Sequence, residues 1–234
     1  MNNDDTAGNT ALNGDLAQWV VVATEGMEWQ ASPGGHVQRK RVHRVGPAES
    51  GQVTSVVRYL PGATFPSHEH PEGEEILVLE GVFSDEQGDW PAGSYLLNPE
   101  GFSHAPFSTA GCTLFVKLRQ YPGRDRIQQQ IQTADLPWLA DRQAGREYKL
   151  LYQQPGFSDS MRLERWLPAT EAITLDWPDG AELFVLEGSF TDQLGHHRVG
   201  TWLRLPPGSQ QRVSPETAVT VYTKQGGFPY LRSP

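Results

Sequence analysis

The chain has 234 residues, and 19 basic against 28 acidic side chains give it a formal net charge of −9. An acidic chain without a basic tract lacks the cationic surface that nucleic-acid binding needs, so we expect no DNA or RNA partner. Its single cysteine, Cys112, excludes an intramolecular disulfide and any zinc site built from Cys-x-x-Cys pairs.

Residues 1–18 are polar, acidic and small, and they predict a flexible N-terminal arm. The arm has neither a basic segment nor an apolar stretch typical of a signal peptide. The longest purely aliphatic run, residues 20–23, is far too short to span a bilayer. We therefore expect a cytoplasmic protein without a membrane partner.

From Val53 onwards the chain contains short runs rich in β-branched and aromatic residues, separated by glycine and proline. These runs are VTSVVRYL, EEILVLEGVF, SYLLN and CTLFVKL. Strand-like runs at such short, regular intervals predict an all-β sandwich or barrel. Between Gly123 and Gly145, the segments DRIQQQIQ and DLPWLADRQAG favour short helical pieces.

The strand pattern occurs twice. Displacing the chain by 107 positions aligns residues 58–117 with residues 165–224 without a gap and with 19 identities in 60 positions. For example, EEILVLEGVFSDEQG matches AELFVLEGSFTDQLG, and GSYLLNPEG matches GTWLRLPPG. Such a repeat indicates a duplicated domain. The sequence therefore predicts an arm at 1–18, a first domain at 19–125 and a second domain at 126–234.

Residues present in both copies are expected to serve the fold, and polar residues present in one copy are candidates for a site. The shared residues are mostly aliphatic or turn-forming, and the shared charges, such as Arg58 and Arg165, are expected to be structural. The first copy alone carries His68, His70, Glu74 and His104. The second copy has Leu175, Trp177, Ala181 and Gln211 at the corresponding positions. Replacement of all four together indicates the loss of one ligand set, and we expect apolar side chains to fill that place.

The four residues of the first copy have the chemistry of a metal site. His68 and His70 lie two residues apart, so both imidazoles point to the same face of an extended strand. Glu74 follows across a short turn, and His104 can join them from a neighbouring strand. Three imidazoles and one carboxylate suit Zn²⁺, Fe²⁺, Mn²⁺, Ni²⁺ or Cu²⁺ better than Ca²⁺ or Mg²⁺. The sequence predicts one divalent transition-metal ion per chain, in the first domain only.

Two spacings resemble the motifs of the cupin superfamily. Residues 62–81 follow G-x5-H-x-H-x3-E-x6-G, and residues 93–104 follow G-x5-P-x-G-x2-H, with Ser108 in place of the usual final Asn. The resemblance implies two tandem cupin domains, which are double-stranded β-helix (jelly-roll) barrels. More narrowly, the first copy, and more weakly the second, resembles the cupin domain of ChrR-type anti-sigma factors. That resemblance implies zinc held by His68, His70, Glu74 and His104, with iron, manganese or nickel as the next candidates.

ChrR-type proteins also contain an N-terminal zinc domain that binds a sigma factor through histidine and a CxxC pair. The present chain has no CxxC pair and no histidine before His36. Sigma-factor binding is therefore not carried over to it. In place of that domain, the chain has a second cupin without metal ligands.

Three functions agree with the ligand set. The first, which we prefer, is a metal-binding sensor or regulatory module of the ChrR type that responds to reactive oxygen species or to a small ligand. The second is a small metal-dependent dioxygenase or isomerase. The third is a structural bicupin in which the metal stabilises the first barrel. A small-molecule ligand and a homodimer are compatible with these functions.

The remaining candidates are assigned structural roles. His36 and His43 are expected at the surface, and His196 and His197 in an exposed hairpin. Cys112 is expected to be a buried apolar side chain, with a redox-responsive thiol as the alternative. One or two of the aromatic residues near the ligand segments are expected to line an apolar pocket beside the metal; the candidates are Phe65, Trp90, Tyr95, Phe102 and Phe107.

Overall fold

Short antiparallel strands make up almost all of the regular structure. The computed structural model describes residues 11–143, 145–168 and 171–234. In these ranges there is no α-helix, and 3₁₀ turns occur at Thr24–Gly26, Thr133–Asp135 and Phe228–Tyr230. The strands, in chain order, are β1 (Val20–Ala23), β2 (Gln30–Ala31), β3 (Val37–Val45), β4 (Gln52–Tyr59), β5 (Ala63–Thr64), β6 (His68–His70), β7 (Glu74–Asp85), β8 (Gly88–Pro91), β9 (Ser94–Asn98), β10 (Phe102–His104), β11 (Phe107–Ser108), β12 (Cys112–Leu118), β13 (Gln129–Gln132), β14 (Leu139–Ala140), β15 (Arg146–Gln153), β16 (Ser160–Trp166), β17 (Ile173–Trp177), β18 (Ala181–Glu187), β19 (Ser189–Asp192), β20 (Gly195–Arg198), β21 (Thr201–Leu205), β22 (Ser209–Pro215) and β23 (Val219–Gln225). None of the described segments forms a helix long and apolar enough to cross a membrane.

The chain forms two compact units. The first contains residues 11–14, Glu28–Asp135 and Tyr230–Pro234, and the second contains Asp15–Met27 and Leu136–Pro229. Strand β1 lies in the second unit because it pairs antiparallel with β21. Strand β13 lies in the first unit because it pairs antiparallel with β9. Each unit therefore includes one strand from the segment that the sequence assigned to the other domain.

The first unit is built on a large antiparallel sheet with the strand order β13-β9-β7-β12-β4-β3-β2. Strands β8 and β11 pair with β7, β5 pairs with β11, and β6 and β10 form a separate two-stranded ladder. Aliphatic side chains from β4, β7 and β12 fill the core, with Tyr59 and Phe83 packed edge to face at a centroid distance of 5.8 Å. The two-stranded ladder of β6 and β10 carries the three histidines of the predicted metal site.

The second unit repeats this arrangement. Its larger sheet has the order β1-β21-β18-β23-β16-β15-β14, and its smaller sheet has the order β17-β22-β19-β20. Trp166 and Phe190 pack edge to face at a centroid distance of 5.1 Å in its core. The predicted fold class, all-β with two tandem jelly-roll domains, is confirmed.

The shared arginines have the structural role that the sequence predicts. Arg58 lies over the ring of Trp29 at 4.1 Å in the first unit, and Arg165 lies over Trp138 at 4.0 Å in the second. A guanidinium stacked on an indole gains both cation–π attraction and packing. The same contact therefore joins the residue before β2 to β4 in the first unit and the residue before β14 to β16 in the second.

Two sequence expectations about local structure are corrected. The segment 123–145 forms β13, a 3₁₀ turn and β14 instead of helical pieces, because Ile131 and its neighbours pair with β9. This tertiary pairing overrides the helix propensity of glutamine, because intrinsic propensity is a weak preference. Of the predicted arm, residues 1–10 lie outside the described residues, whereas Asn13 donates from Nδ2 to the Val42 carbonyl at 2.7 Å. Residues Leu12 and Asn13 of the arm are therefore held on β3, whereas Asp15 belongs to the second unit.

Gly81, which corresponds to Gly188 in the second copy, is the subject of the first testable prediction. Gly81 has a φ of +74°, and a Cβ added there would lie 2.3 Å from the Gly111 carbonyl oxygen. Gly81→Ala should therefore lower the free energy of unfolding by well over ~1 kcal/mol, measured by urea denaturation. The control is Gly34→Ala, since a Cβ at Gly34 meets nothing within 4 Å. Equal effects of the two substitutions would contradict this account.

Candidate metal site

Two adjacent strands and the start of a third bring the predicted ligands together. In the β6–β10 ladder, His68 lies directly opposite His104, and His70 lies on the same face as His68. The turn after β6 has left-handed backbone at Glu72 and Gly73, with φ of 60° and 72°. It reverses the chain so that β7 begins at Glu74, next to the histidines.

The three imidazoles form a compact cluster. Ring centroids lie 4.8 Å apart for His68 and His70, 5.4 Å for His68 and His104, and 4.9 Å for His70 and His104. The Nε2 atoms of His70 and His104 are 3.0 Å apart. One donor atom from each of the three histidines lies within 4.8 Å of the others. Within residues 11–143, 145–168 and 171–234, no other group of at least three His, Cys, Asp or Glu side chains has this arrangement. These three histidines could hold a metal ion.

Glu74 lies beside the same cluster. Its Oε2 atom is 3.6 Å from Nε2 of His70 and 3.5 Å from Nε2 of His104. The Asn98 amide donates to that oxygen at 3.2 Å and so fixes the carboxylate in place. The structure therefore brings the three histidines together and places Glu74 next to two of them, His70 and His104.

Hydrogen bonds at Nδ1 fix the tautomers of His68 and His104. The Pro66 carbonyl can only accept, so the 2.9 Å contact with His68 requires the proton on Nδ1 of that ring. His104 likewise donates from Nδ1 to Oδ2 of Asp85 at 3.1 Å. With the proton on Nδ1, the lone pair of each ring lies on Nε2, and in His104 it faces Nε2 of His70 at 3.0 Å. Outer hydrogen bonds orient metal-binding histidines in this way. The donor set fits a divalent transition metal.

Burial and neighbouring charges shift the pKa values of His70 and His104 in opposite directions. Burial lowers the pKa of His70, and the charge of Glu74 offsets only part of this effect. Burial also lowers the pKa of His104, but the hydrogen bond to Asp85 and the charge of Glu74 outweigh it, so the net pKa is raised. For Asp85, burial raises the pKa, but hydrogen bonds from His104, the Gln87 amide and Trp90 outweigh burial and lower it.

A family model described as the ChrR cupin-like domain matches residues 17–122 and again residues 127–229. The chain belongs to the ChrR cupin-like family. The two matches coincide with the two copies of the internal repeat, so this ChrR cupin-like protein carries the family's domain twice. None of the curated proteins matches the chain at a significant level.

Solved structures show the same fold at low sequence identity. Protein Ylba from E. coli has a TM-score of 0.69 and 16% identity, covering 97% of this chain and 98% of its own. A candidate dioxygenase from Nostoc punctiforme has a TM-score of 0.68 and 16% identity, covering 88% of this chain and 82% of its own. A variant of oxalate decarboxylase from Bacillus subtilis has a TM-score of 0.62 and 13% identity, covering 88% of this chain and 76% of its own. At these identities the similarity establishes the cupin fold.

In the second unit of the ChrR cupin-like chain, the corresponding positions are packed with side chains. Leu175 lies opposite Gln211, in the register that His68 and His104 have in the first unit. The four side chains are at most 2% exposed; they are Leu175, Trp177, Ala181 and Gln211. The indole of Trp177 donates to Oε1 of Gln211 at 3.2 Å. Three of the four replacements are apolar and buried, as expected, whereas the fourth, Gln211, is polar and also pairs with Asp192.

Two residues around the site were missed by the sequence analysis. Asp85 orients His104, and its counterpart Asp192 accepts from Gln211 at 2.7 Å in the second unit. This aspartate is retained in both copies, within EGVFSDEQG and EGSFTDQLG, so the comparison of the copies assigned it to the fold and gave no signal for its contact with His104. Asn98 is present in the first copy alone, where the second has Leu205, so the comparison of the copies could have found it.

The structure corrects the expected exposure of two histidines. His43 is fully buried and its Nδ1 lies 3.2 Å from the Asn13 carbonyl oxygen, because β3 is covered on both faces at this point. His197 is also buried, and its ring contacts Asp192 at 2.7 Å. His36 and His196 are exposed as expected. Cys112 is buried, and burial raises the pKa of its thiol, so the expected apolar role is confirmed.

An open cavity adjoins the histidine cluster. An inner chamber of about 110 Å³ is lined by His68, His70 and Glu74, together with Phe65 and aliphatic side chains. An outer chamber of about 350 Å³ shares His68, His70 and Phe65 with it. Phe65 is therefore one of the aromatic residues that line a pocket beside the site. Three of the four predicted ligands line this cavity.

Asp85 carries the second testable prediction. Asp85→Asn removes the charged acceptor that fixes Nδ1–H of His104, so metal affinity should fall roughly 10–100-fold. Competition with a chromogenic chelator measures this change. Asp192→Asn is the matched control, since it alters the equivalent aspartate beside Gln211 and should leave metal affinity unchanged. If both variants bind metal as the unaltered chain does, Asp85 has no role in positioning His104.

Proposed function

We propose that this chain is a bicupin sensor or regulatory module that binds one divalent transition-metal ion and a small molecule beside it. His68, His70, Glu74 and His104 would hold the ion, with zinc as the first choice and iron, manganese or nickel next. The observation that carries the proposal is the open cavity, which reaches His68, His70 and Glu74 at the same time.

The bound ion would supply a Lewis-acidic site for an oxygen-bearing group of the small molecule. The chain's own residues prepare this site: Asp85 fixes the ring of His104, and Asn98 fixes the carboxylate of Glu74. Because Glu74 cancels only one of the two charges of the ion, the site favours an anionic ligand.

The exposure of His68 and the adjoining cavity argue against a purely structural metal, since structural sites are closed around four protein ligands. The inner chamber also favours binding over acid–base chemistry. Besides the proposed ligands, the titratable side chains among its described lining residues are Arg39 and Tyr59. Burial raises the pKa of Tyr59, which therefore stays protonated. Neither group is suited to act as a general base at neutral pH.

The second candidate is a metal-dependent dioxygenase or isomerase. The same cavity favours it, because a substrate there would lie against the side of the ligand cluster that the protein leaves open. The two candidates differ in outcome, since a sensor retains its ligand unchanged and an enzyme converts it.

Metal analysis and oxygen consumption test this proposal on the full chain. We expect one tightly bound ion per chain after reconstitution, measured by elemental analysis, with melting temperatures that rise on metal addition and fall with chelator. Small ligands that raise the melting temperature further should be recovered unaltered, without oxygen uptake. Two tightly bound ions per chain would contradict the single site, and conversion of the ligand would favour the enzyme.

A further inference from the structure

Two arginines of the first unit face the same cavity as the histidine cluster. In β3, Val37, Arg39 and Arg41 lie two residues apart, so their side chains share one face of the strand. Arg39 lines both chambers, and Arg41 lines the outer one. One strand thus places two arginines in the lining of a cavity that His68 and His70 also line.

These arginines already bind a carboxylate of the chain itself. Glu49 accepts from Nη1 of Arg39 at 2.8 Å and from Nη2 of Arg41 at 2.9 Å. The Glu49 side chain is about half exposed, at 48%, so solvent or a solute can compete for the arginines. The pair of guanidinium groups is therefore spaced to hold a carboxylate between them, because planar guanidinium groups pair with carboxylates in fixed directions.

The charges around the outer chamber favour an anion. Its lining includes three arginines, Arg39, Arg41 and Arg119, against the two carboxylates of Glu49 and Glu69. The remaining positive charge lies at a partly enclosed site, where a charge-assisted hydrogen bond is stronger than in open solvent.

The walls between the arginines and the histidines are apolar. Val57, Phe65, Val116 and Leu118 line both chambers. A ligand that spans the cavity therefore needs an apolar body between its charged end and the end that faces the cluster.

We propose that this cavity binds a small organic acid whose carboxylate pairs with Arg39 and whose apolar body lies against Val57, Phe65 and Val116. The inference deepens the proposed function, on which it rests for the identity of the small-molecule site. Glu49 then acts as an internal competitor, because its carboxylate occupies the arginines when the acid is absent.

Calorimetric titration of the full chain tests the proposal with two probes of one shape, isovalerate and its neutral amide, isovaleramide. We expect the acid to bind about tenfold more tightly than the amide, as one charge-assisted hydrogen bond predicts. Arg39→Gln should remove this preference, and Glu49→Gln should increase the affinity for isovalerate. Arg124→Gln is the control, since Arg124 is a surface arginine of the same unit with 77% of its side chain exposed.

The proposal is overturned if the unaltered chain binds the two probes equally, or if the preference survives in Arg39→Gln. It is also overturned if Glu49→Gln loses affinity as Arg39→Gln does, because the ion pair would then serve only to shape β3. The titration is made with and without reconstituted metal. A chain that takes up no metal but still prefers isovalerate would disprove the metal proposal and leave this one supported.

Discussion

His104→Ala is expected to weaken metal binding by orders of magnitude and to abolish the thermal stabilisation that metal provides. His68, His70 and Glu74 come from one continuous segment, whereas His104 comes from β10 and connects that strand to the site. Metal bound only to the folded state stabilises it by RT ln(1 + [L]/Kd), which is about 4 kcal/mol when the free metal is a thousand times Kd. Thermal unfolding with and without chelator measures this difference.

Gln211→Ala in the second unit is the matched control. Gln211 occupies the position of His104, in the same register, but it pairs with Trp177 and Asp192. Its replacement should change neither metal content nor the shift of melting temperature caused by chelator. Equal effects of the two substitutions on that shift would place the functional asymmetry in other residues.

Trp177→Ala is expected to destabilise the protein by about 3–5 kcal/mol while leaving its metal content unchanged. The Trp177 side chain is 2% exposed, belongs to the core of the second unit and donates to Gln211. Truncation leaves a cavity of indole size and removes the indole donor from Gln211. Urea denaturation of the chelator-treated protein gives the free energy, and elemental analysis gives the metal content.

His70→Ala provides the opposite pattern at the corresponding position of the first unit. It should reduce metal content, with a smaller loss of stability in the chelator-treated protein, because an imidazole packs less apolar surface than an indole. If Trp177→Ala proved as stable as the unaltered chain, the stability of the second unit would not depend on Trp177, which stands at the position of His70.

The candidate site could be predicted closely because its information is local. His68, His70 and Glu74 lie within seven residues, and alternation along a strand fixes the face on which both histidines lie. The internal repeat added a comparison that singled out these residues against Leu175 and Trp177. His104 could be joined to them because the first copy alone carries it and because the motif G-x5-P-x-G-x2-H ends at this residue.

The features that were missed depend on contacts distant in sequence. DRIQQQIQ has no pattern that specifies β9 as its partner, so its helical propensity was the only local signal. His43 lies on a strand covered on both faces, and its burial follows from a neighbour, Asn13, that lies 30 positions away. The link between Asp85 and His104 arises only when β7 and β10 meet in the folded unit.

Strand β1 belongs to the second unit although it precedes the first in sequence, and β13 belongs to the first unit although it follows the end of the first repeat. This connectivity limits where the chain can be cut into fragments. A fragment of residues 19–125 would retain β1 without its partner β21 and would lack β13, leaving β9 as an exposed sheet edge. Unprotected edges of this kind promote aggregation and pairing with other chains. The fragment that looks natural from the repeat is therefore expected to be poorly soluble. A fragment of the first unit would need residues 28–135, whose C-terminal end includes β13, together with the segments 11–14 and 230–234 of the same unit.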